Sequence, residues 1–372
     1  MLIKLIIAIP AGLLLFSSYW LYDRYSTYRG GIFPTPYEFS TTTDQIAVEA
    51  PILLMGDRMA LHLARFKENL ALEISQGLSK PIKIEVLASE YDGIHRTLEK
   101  AEHITKWPKL ILYTGGSTEL FEERFLKSQI PKVRTNIARY QDDQWRTLLM
   151  IWPTFARFLY EPLQRVKLPS DVTLNEKEIT EVEYQARLEL NYQLYEILLN
   201  RFVEVARENK QNIILMTVPV NLDIEPRKTC SLTYTEKVKK EIEEIKILIK
   251  NQDYKSAYPK SQDLTLATLA NAEVFWLHGR VAMKLGKKME AKENLKKAAA
   301  FDCEFWRSNE VTNNIIRKVA QEQRVTLYDF AEVLEGQWTL NTTFFDDIYP
   351  QNLYYDKAVQ TLSVAIRKML KI

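Results

Sequence analysis

The chain has 372 residues, 46% of them hydrophobic and 26% charged, as is typical of a folded globular protein with a substantial core. Its 50 Lys and Arg against 48 Asp and Glu leave a net charge of +2, which gives no electrostatic basis for binding nucleic acid. The low count of 11 glycines favours a helix-rich chain. Two cysteines are too few for a disulfide-dense scaffold, and four histidines leave few residues for metal sites or histidine-based catalysis. We therefore expect no metal site and no cofactor.

The amino-terminal residues predict a membrane anchor. Residues 5–22 carry no charge, and Trp20 suits the membrane interface, so residues 1–22 are interpreted as a transmembrane helix. A cleaved signal peptide is the alternative, although residues 17–20 supply no clear cleavage site. Positive charges are nearly balanced on the two sides of this segment. The very short amino-terminal tail nevertheless favours a single-pass anchor in a bacterial inner membrane, with most of the chain in the periplasm. Residues 23–50 are interpreted as a linker.

From residue 51 onward, short apolar runs alternate with helical patterns. Strands are predicted at 51–56, 82–87, 109–114, 212–218 and 325–328. Helices are predicted at about 57–76, 93–103, 180–209, 309–323 and 351–370. Strands separated by helices predict a three-layer α/β domain with a parallel sheet, spanning 51–222 and 306–372.

Residues 223–305 interrupt this alternation and predict an inserted helical subdomain. Small residues recur within it at Gly279, Gly286, Ala291 and Ala298, where a helix-turn-helix pair would need close contacts. This pattern resembles a tetratricopeptide repeat, and residues 251–257 resemble part of a preceding one. An ordinary helical hairpin is the alternative. Either surface suits helix packing and the docking of a protein partner.

The two cysteines lie near the two ends of this insertion. Cys230 and Cys303 could form a disulfide at its base if the domain is exported. Two unpaired, partly buried thiols are the arrangement that we expect from the sequence.

Four short blocks carry a family resemblance. They are Gly56-Asp57-Arg58 after the first strand, Gly93 after the second, Gly115-Gly116-Ser117-Thr118 after the third, and Asp346-Asp347-Ile348-Tyr349-Pro350 before the last helix. In this order they resemble the SGNH/GDSL hydrolase superfamily, specifically membrane-anchored forms with inserted helical repeats. The resemblance implies an SGNH-hydrolase-like fold over about 51–222 and 306–372.

The resemblance also implies where an esterase site would lie. In that family a serine follows Gly-Asp, a glycine amide and an asparagine stabilise the oxyanion, and a histidine oriented by aspartate moves the proton. Here the serine position holds Arg58, the asparagine position Ser117 and the histidine position Tyr349, while Gly93 and Asp346 are retained. Guanidinium cannot attack a carbonyl, and a tyrosine is a poor base near neutral pH. We expect Arg58 to pair with Asp346; binding of an anionic ligand is the alternative.

The histidines offer no replacement site. His62 lies one helical turn beyond Arg58, His95 and His103 lie on the second helix, and His278 lies in the insertion. None has metal-ligand spacing with another histidine, so structural roles are expected for all four.

A final feature is the aromatic segment 144–160, interpreted as a buried helical subdomain or a docking surface for a membrane or protein partner. Together these features predict a catalytically inactive SGNH-like protein that acts as an interaction component of an envelope assembly. The alternatives are an ester hydrolase or O-acyltransferase acting on envelope polysaccharide, and a module that binds an anionic glycan through Arg58.

Overall fold

The computed structural model describes residues 12–19, 45–119, 130–142, 144, 181–231, 235–304, 306–335, 337 and 342–372. The chain divides into two compact units, one comprising residues 1–39 and 124–170 and the other residues 40–123 and 171–372. The second unit contains both the central sheet and the helical insertion.

Seven short strands lie in the described residues. They are β1 Ile46–Ala47, β2 Ile52–Gly56, β3 Ile84–Ala88, β4 Ile104–Lys106, β5 Leu110–Thr114, β6 Asn212–Met216 and β7 Thr326–Tyr328. Five of them form one parallel sheet in the order β3-β2-β5-β6-β7. Its strands begin and end within two residues of the predicted positions, because runs buried on both faces leave a continuous apolar signal.

Twelve labelled helices accompany the strands. They are α1 Arg58–Ala64, α2 Lys67–Ser75, α3 Ile94–Glu102, α4 Ile130–Gln141, α5 Glu181–Glu208, α6 Glu236–Lys250, α7 Tyr254–Ala267, α8 Ala272–Lys284, α9 Lys288–Phe301, α10 Glu310–Glu322, α11 Phe330–Glu335 and α12 Asn352–Leu370. The helix predicted over 57–76 is divided, since the amides of Arg65 and Phe66 bond to carbonyls three residues back in a tight turn.

Alternate strand residues point to opposite faces of the sheet and build two cores. Leu53, Met55, Ile111 and Tyr113 contribute to a core that includes residues of α3, α5 and α10. Their neighbours along the strands, such as Leu54 and Leu112, contribute to a second core with residues of α1, α2 and α12. The second unit is therefore a parallel α/β sandwich of three layers, as predicted.

A second, two-stranded parallel sheet was not predicted. β1 pairs with β4, so the linker predicted over 23–50 is structured at its carboxyl end. With two and three residues, these strands are too short to leave a periodic signal.

The insertion between β6 and α10 consists of α6 to α9. The backbone of α8 approaches α9 closely, since a Cβ on Gly279 would lie 2.7 Å from Leu295 Cγ. Ala291 and Ala298 are buried, whereas Gly286 adopts a positive φ of 77° in the turn before α9. The small residues thus serve the helical hairpin in two ways, as close contacts and as a turn.

The two cysteines are joined by a disulfide, so the expected pair of separate thiols is wrong. Thr229 and Asp302 form an antiparallel bridge beside it, and Asp302 accepts amide hydrogen bonds from Arg227 at 3.0 Å and Lys228 at 3.2 Å. These bonds bring the two ends of the insertion together, which places the two sulfurs within bonding distance.

The predicted membrane anchor and the predicted aromatic segment lie largely outside the described residues. Of the predicted span 5–22, residues 12–19 are helical, and Leu13, Leu14, Leu15 and Phe16 are exposed. Within the described ranges, no helix is long and apolar enough to cross a membrane. Of the aromatic segment 144–160, all but residue 144 lies outside those ranges.

Candidate functional site

The candidate site lies at the carboxyl ends of β2 and β5. The strand order reverses between these two strands, and such a switch point is where parallel α/β sheets form their ligand crevices. Gly56 ends β2 with a φ of +132°, and a Cβ there would lie 1.9 Å from the carbonyl oxygen of Thr114. Glycine is therefore required where the two strands converge on the site.

Asp57 is the buried centre of this site. Its Oδ1 accepts a 2.8 Å hydrogen bond from the Met59 amide and caps α1. Its Oδ2 accepts from the Ser117 amide at 2.8 Å, from Ser117 Oγ at 2.6 Å and from Thr118 Oγ1 at 3.4 Å. Burial raises the pKa of Asp57, while these hydrogen bonds and the Arg58 charge oppose the rise. The carboxyl group thus holds the loop after β5 against the start of α1.

Arg58, which stands where the resemblance implies a nucleophile, extends across the same loop. Its Nε donates to Ser117 Oγ at 3.4 Å, and its Nη2 donates to the carbonyl oxygens of Ser117, at 3.1 Å, and Trp306. The expected ion pair with Asp346 is wrong, as no such contact occurs between these two described side chains. The Asp346 carboxylate is exposed and accepts instead from the amides of Ile348 and Tyr349, at 2.8 and 2.7 Å.

Next to Gly93, the second block, lies a carboxylate contact that was not predicted from the sequence. Gly93 precedes α3, and the first amide of that helix, on Ile94, donates to both carboxylate oxygens of Glu119 at 3.0 and 3.2 Å. Glu119 is only 6% exposed, and its charge favours the helix amino terminus. Its position two residues after Ser117 was the available signal. A helix amide beside Gly93 is thus occupied by an internal carboxylate.

Tyr349, which stands where the resemblance implies a base, belongs to an aromatic cluster. Tyr349 stacks on His62 with ring centroids 4.3 Å apart, and the ring centroid of Tyr355 lies 4.7 Å from that of His62 at an interplanar angle of 40°. Burial, with a smaller contribution from Arg65, lowers the pKa of His62 to about 4, and burial raises the pKa of Tyr349. Tyr349 therefore keeps its proton at neutral pH.

Little space remains beside Ser117. Its side chain is 1% exposed. The adjoining cavity has a volume of about 10 Å³, room for roughly one water molecule. Its lining includes Gly116, Ser117, Glu119, Asn191, Tyr192, Arg307 and Thr312. The space between these described residues is smaller than an acyl group.

The other histidines lie apart from this loop. His95 is buried on α3, and His103 Nδ1 bonds to the Glu99 carbonyl at 2.8 Å. His278 lies in the insertion, 2.9 Å from Ser261 Oγ and 3.0 Å from Glu290 Oε1. No cluster of three metal-ligating side chains occurs among the residues that the structure describes.

No protein-family model matches this chain, and no curated protein matches it. Several solved structures are similar, and two of them are as follows. One is described as a GDSL-like lipase from Bacteroides thetaiotaomicron VPI-5482, with 10% identity and a TM-score of 0.35, covering 94% of this chain and 98% of that chain. The other is described as a "putative acylhydrolase" from Bacteroides fragilis NCTC 9343, with 11% identity and a TM-score of 0.33, covering 94% of this chain and 96% of that chain.

Proposed function

We propose that this chain is a non-catalytic α/β protein, related in its site blocks to the SGNH/GDSL hydrolases, that acts as an interaction component of a bacterial envelope assembly. The observation that carries the proposal is the position of the Arg58 guanidinium. It occupies the nucleophile position and donates to Ser117 and to the Trp306 carbonyl. These bonds give Arg58 an internal structural role in place of a chemical one.

Three further features support the loss of hydrolysis. Ser117 is buried, its hydroxyl is bonded to Asp57, and the adjoining space holds about one water molecule. Glu119 accepts a hydrogen bond from the Ile94 amide at the start of α3. Tyr349 has a raised pKa. Nucleophile, oxyanion site and base act as a unit in this chemistry, so changes at all three remove the mechanism.

The insertion supports a role in protein interaction. Four large apolar side chains are exposed among its described residues, each with 57–81% of its surface accessible: Ile247, Leu266, Leu269 and Met289. Such side chains are costly to leave in water and are the residues that partner proteins bury. The packing of α8 on α9 around Gly279 also supports a repeat-like module of the tetratricopeptide type.

An envelope location is supported by two observations. The Cys230–Cys303 disulfide is the kind of bond that persists in an oxidising compartment such as the periplasm. The exposed Leu13, Leu14 and Leu15 are compatible with a membrane anchor that begins before them and extends beyond them. Alkaline phosphatase fused after residue 372 should be active if the bulk is exported, and inactive if it faces the cytoplasm.

The first test is ester hydrolysis by the purified full chain with p-nitrophenyl butyrate. We expect no turnover above buffer, and the same rate from Ser117→Ala and Tyr349→Phe. Arg58→Ala should lower Tm by about 2–6 °C, since it removes charged donors from two carbonyls. Arg58→Lys keeps the positive charge but lacks the planar guanidinium group. Its Tm should therefore lie between those of Arg58→Ala and the wild type.

Hydrolysis that falls tenfold or more in Ser117→Ala or Tyr349→Phe would establish the alternative, an envelope ester hydrolase or O-acyltransferase. The one observation in its favour is the 2.6 Å bond between Ser117 Oγ and Asp57. The glycan-binding alternative has less support, because the Arg58 donors are already engaged.

The second test is co-purification of crosslinked partners with the tagged chain from bacterial membranes. The double variant Ile247→Lys with Met289→Lys should recover at least fivefold less of each specific partner than the wild-type chain. The matched control, Leu72→Lys with Val364→Lys, changes side chains of similar exposure outside the insertion and should retain them. Equal recovery from both variants would contradict docking through the insertion.

A further inference from the structure

A cavity of about 430 Å³ lies where the insertion meets α5 and α10. Apolar side chains make up most of its wall, among them Leu188, Ala270, Ala300, Phe301 and Val311. The Cys230–Cys303 disulfide also lines it. The cavity lies outside the Arg58 site.

The polar groups at the wall are largely satisfied elsewhere. Tyr192 OH accepts a 2.6 Å hydrogen bond from Asn309 Nδ2 and donates to the Ala300 carbonyl at 3.3 Å. Its ring therefore contributes apolar surface without a hydroxyl that needs a ligand. A polar ligand would lose its hydration here without compensation, so the cavity selects an apolar one.

The volume defines the size of that ligand. An engineered apolar cavity of about 150 Å³ holds one benzene molecule. At the same ratio, about 430 Å³ has room for roughly 17 carbon atoms. A single side chain of a partner protein would leave most of this space empty, whereas a long alkyl chain would fill it.

Two charged residues border the cavity and give the ligand a direction. Lys297 on α9 is exposed, and its Nζ lies 5.5 Å above the ring of Phe275. Glu189 lies on α5. An anionic head group would be attracted to Lys297 and repelled by Glu189, so it should lie at the α9 side.

The wall also contains an unusual backbone position. Ala270 adopts a left-handed φ of +54°, which is unfavourable for a residue with a Cβ and is often found at functional sites. The preceding Leu269 is 76% exposed, and Leu266 is 81% exposed. Apolar surface thus lies both inside the cavity and on the segment that leads into Ala270.

We propose that this cavity binds one acyl chain of about 12–18 carbons, with its carboxylate or phosphate head beside Lys297. The chain can come from a free fatty acid or from a membrane phospholipid. The cavity favours this class of ligand by its apolar wall, by its volume and by the positive charge of Lys297 at its rim.

The test uses the purified full chain in amphipol and a photoactivatable palmitate that carries a diazirine near its methyl end. Labelled peptides are mapped by mass spectrometry, which separates binding in the cavity from binding to an exposed apolar helix. We expect label on residues 188–192 or 300–311, and competition by unlabelled palmitate.

Three variants make the test specific. Ala300→Trp fills the cavity and should reduce label in these peptides at least tenfold. Lys297→Glu should weaken palmitate labelling about threefold, while leaving a diazirine hexadecanol unaffected, because the alcohol carries no charge. Lys288→Glu, an exposed lysine on the same helix, is the matched control and should change neither.

Label confined to other peptides, or label that Ala300→Trp leaves unchanged, would overturn the proposal. If Ala300→Trp does not fold, the comparison of palmitate with hexadecanol in Lys297→Glu decides, and equal effects on both ligands would overturn the position of the head group. Lipids extracted from the protein purified from membranes distinguish a free fatty acid from a phospholipid. Partner co-purification is independent of every one of these readouts.

Discussion

The Ser117 hydroxyl donates a 2.6 Å hydrogen bond to Asp57 Oδ2, and the Ser117 amide donates to the same oxygen at 2.8 Å. These bonds tie the loop after β5 to the carboxylate that caps α1. Both residues belong to blocks that resemble a hydrolase site, yet their side chains are directed to each other and buried. The geometry therefore serves the fold.

We expect Asp57→Asn to lower the free energy of unfolding by about 3 kcal/mol, because an amide would place a second donor against the Ser117 amide. Ser117→Ala should cost about 1–2 kcal/mol, since it removes one bond to a buried carboxyl group. Urea unfolding measures both. Ser79→Ala, at an exposed serine, should change stability by less than about 0.5 kcal/mol, and an equal effect at Ser117 would contradict the role of the bond.

The contribution of His62 to stability should be lost as the pH decreases from about 6.5 towards 4. His62 has a pKa of about 4 in the folded chain and an ordinary value near 6.5 when unfolded, so the unfolded state binds more protons in this window. His278 acts in the same direction, because burial also lowers its pKa. His62→Phe keeps an aromatic ring against Tyr349 and should reduce, without abolishing, the dependence of unfolding free energy on pH.

The control for this pH effect is Ser79→Ala, at an exposed side chain outside the aromatic cluster, which should retain the wild-type slope. Unfolding midpoints in urea at pH 4.5, 5.5, 6.5 and 7.5 give the comparison. A slope unaltered by His62→Phe would show that the stacked histidine does not link protonation to folding.

Reduction of the Cys230–Cys303 disulfide should destabilise the insertion. The two cysteines are 73 residues apart, and a closed loop of this length is worth about 4 kcal/mol in the chain-entropy account. Cys230→Ser with Cys303→Ser should lose a similar amount and become insensitive to dithiothreitol. Non-reducing peptide mapping of protein purified from membranes should recover the linked pair, whereas two titratable thiols in the native protein would refute it.

Gly279→Ala should cost about 1–3 kcal/mol, because its Cβ would lie 2.7 Å from Leu295 Cγ across the contact of α8 with α9. Leu295→Ala removes the obstructing atoms. The double variant should therefore lose less stability than the sum of the two single variants. Additive losses in thermal unfolding would mean that the helices adjust without contact between these residues. Gly286→Ala tests backbone strain alone, since no atom lies within 4 Å of its added Cβ.

The predictable part of the fold was the part with strong local signals. The apolar runs of β2 and β5 and the long periodic pattern of α5 agree with the structure to within a residue or two. The pair β1 and β4 was missed because two or three residues cannot express a period. The break at Arg65 and Phe66, where two amides bond to carbonyls three residues back, was missed because no glycine or proline marks it in the sequence.

The sequence identified residues of the proposed site, but predicted their contacts less well. Arg58, Ser117 and Tyr349 differ from the residues that the resemblance implies, and parallel strand order explains why Arg58 and Ser117 meet. Glu119 was missed since nothing local links an acidic residue to the first amide of α3. The expected Arg58–Asp346 pair was wrong because Asp346 satisfies its oxygen within its own turn.

By itself, the sequence determined which residue types occupy the strands, the insertion and the altered blocks, because burial and chemical capability are properties of the residues. Only the tertiary structure decided which of them meet. Arg58 donates to the Trp306 carbonyl across 248 residues of chain, and Cys230 bonds to Cys303 across 73. Such partners are selected by the packing of whole helices and loops, whose combined free energy outweighs any single local preference.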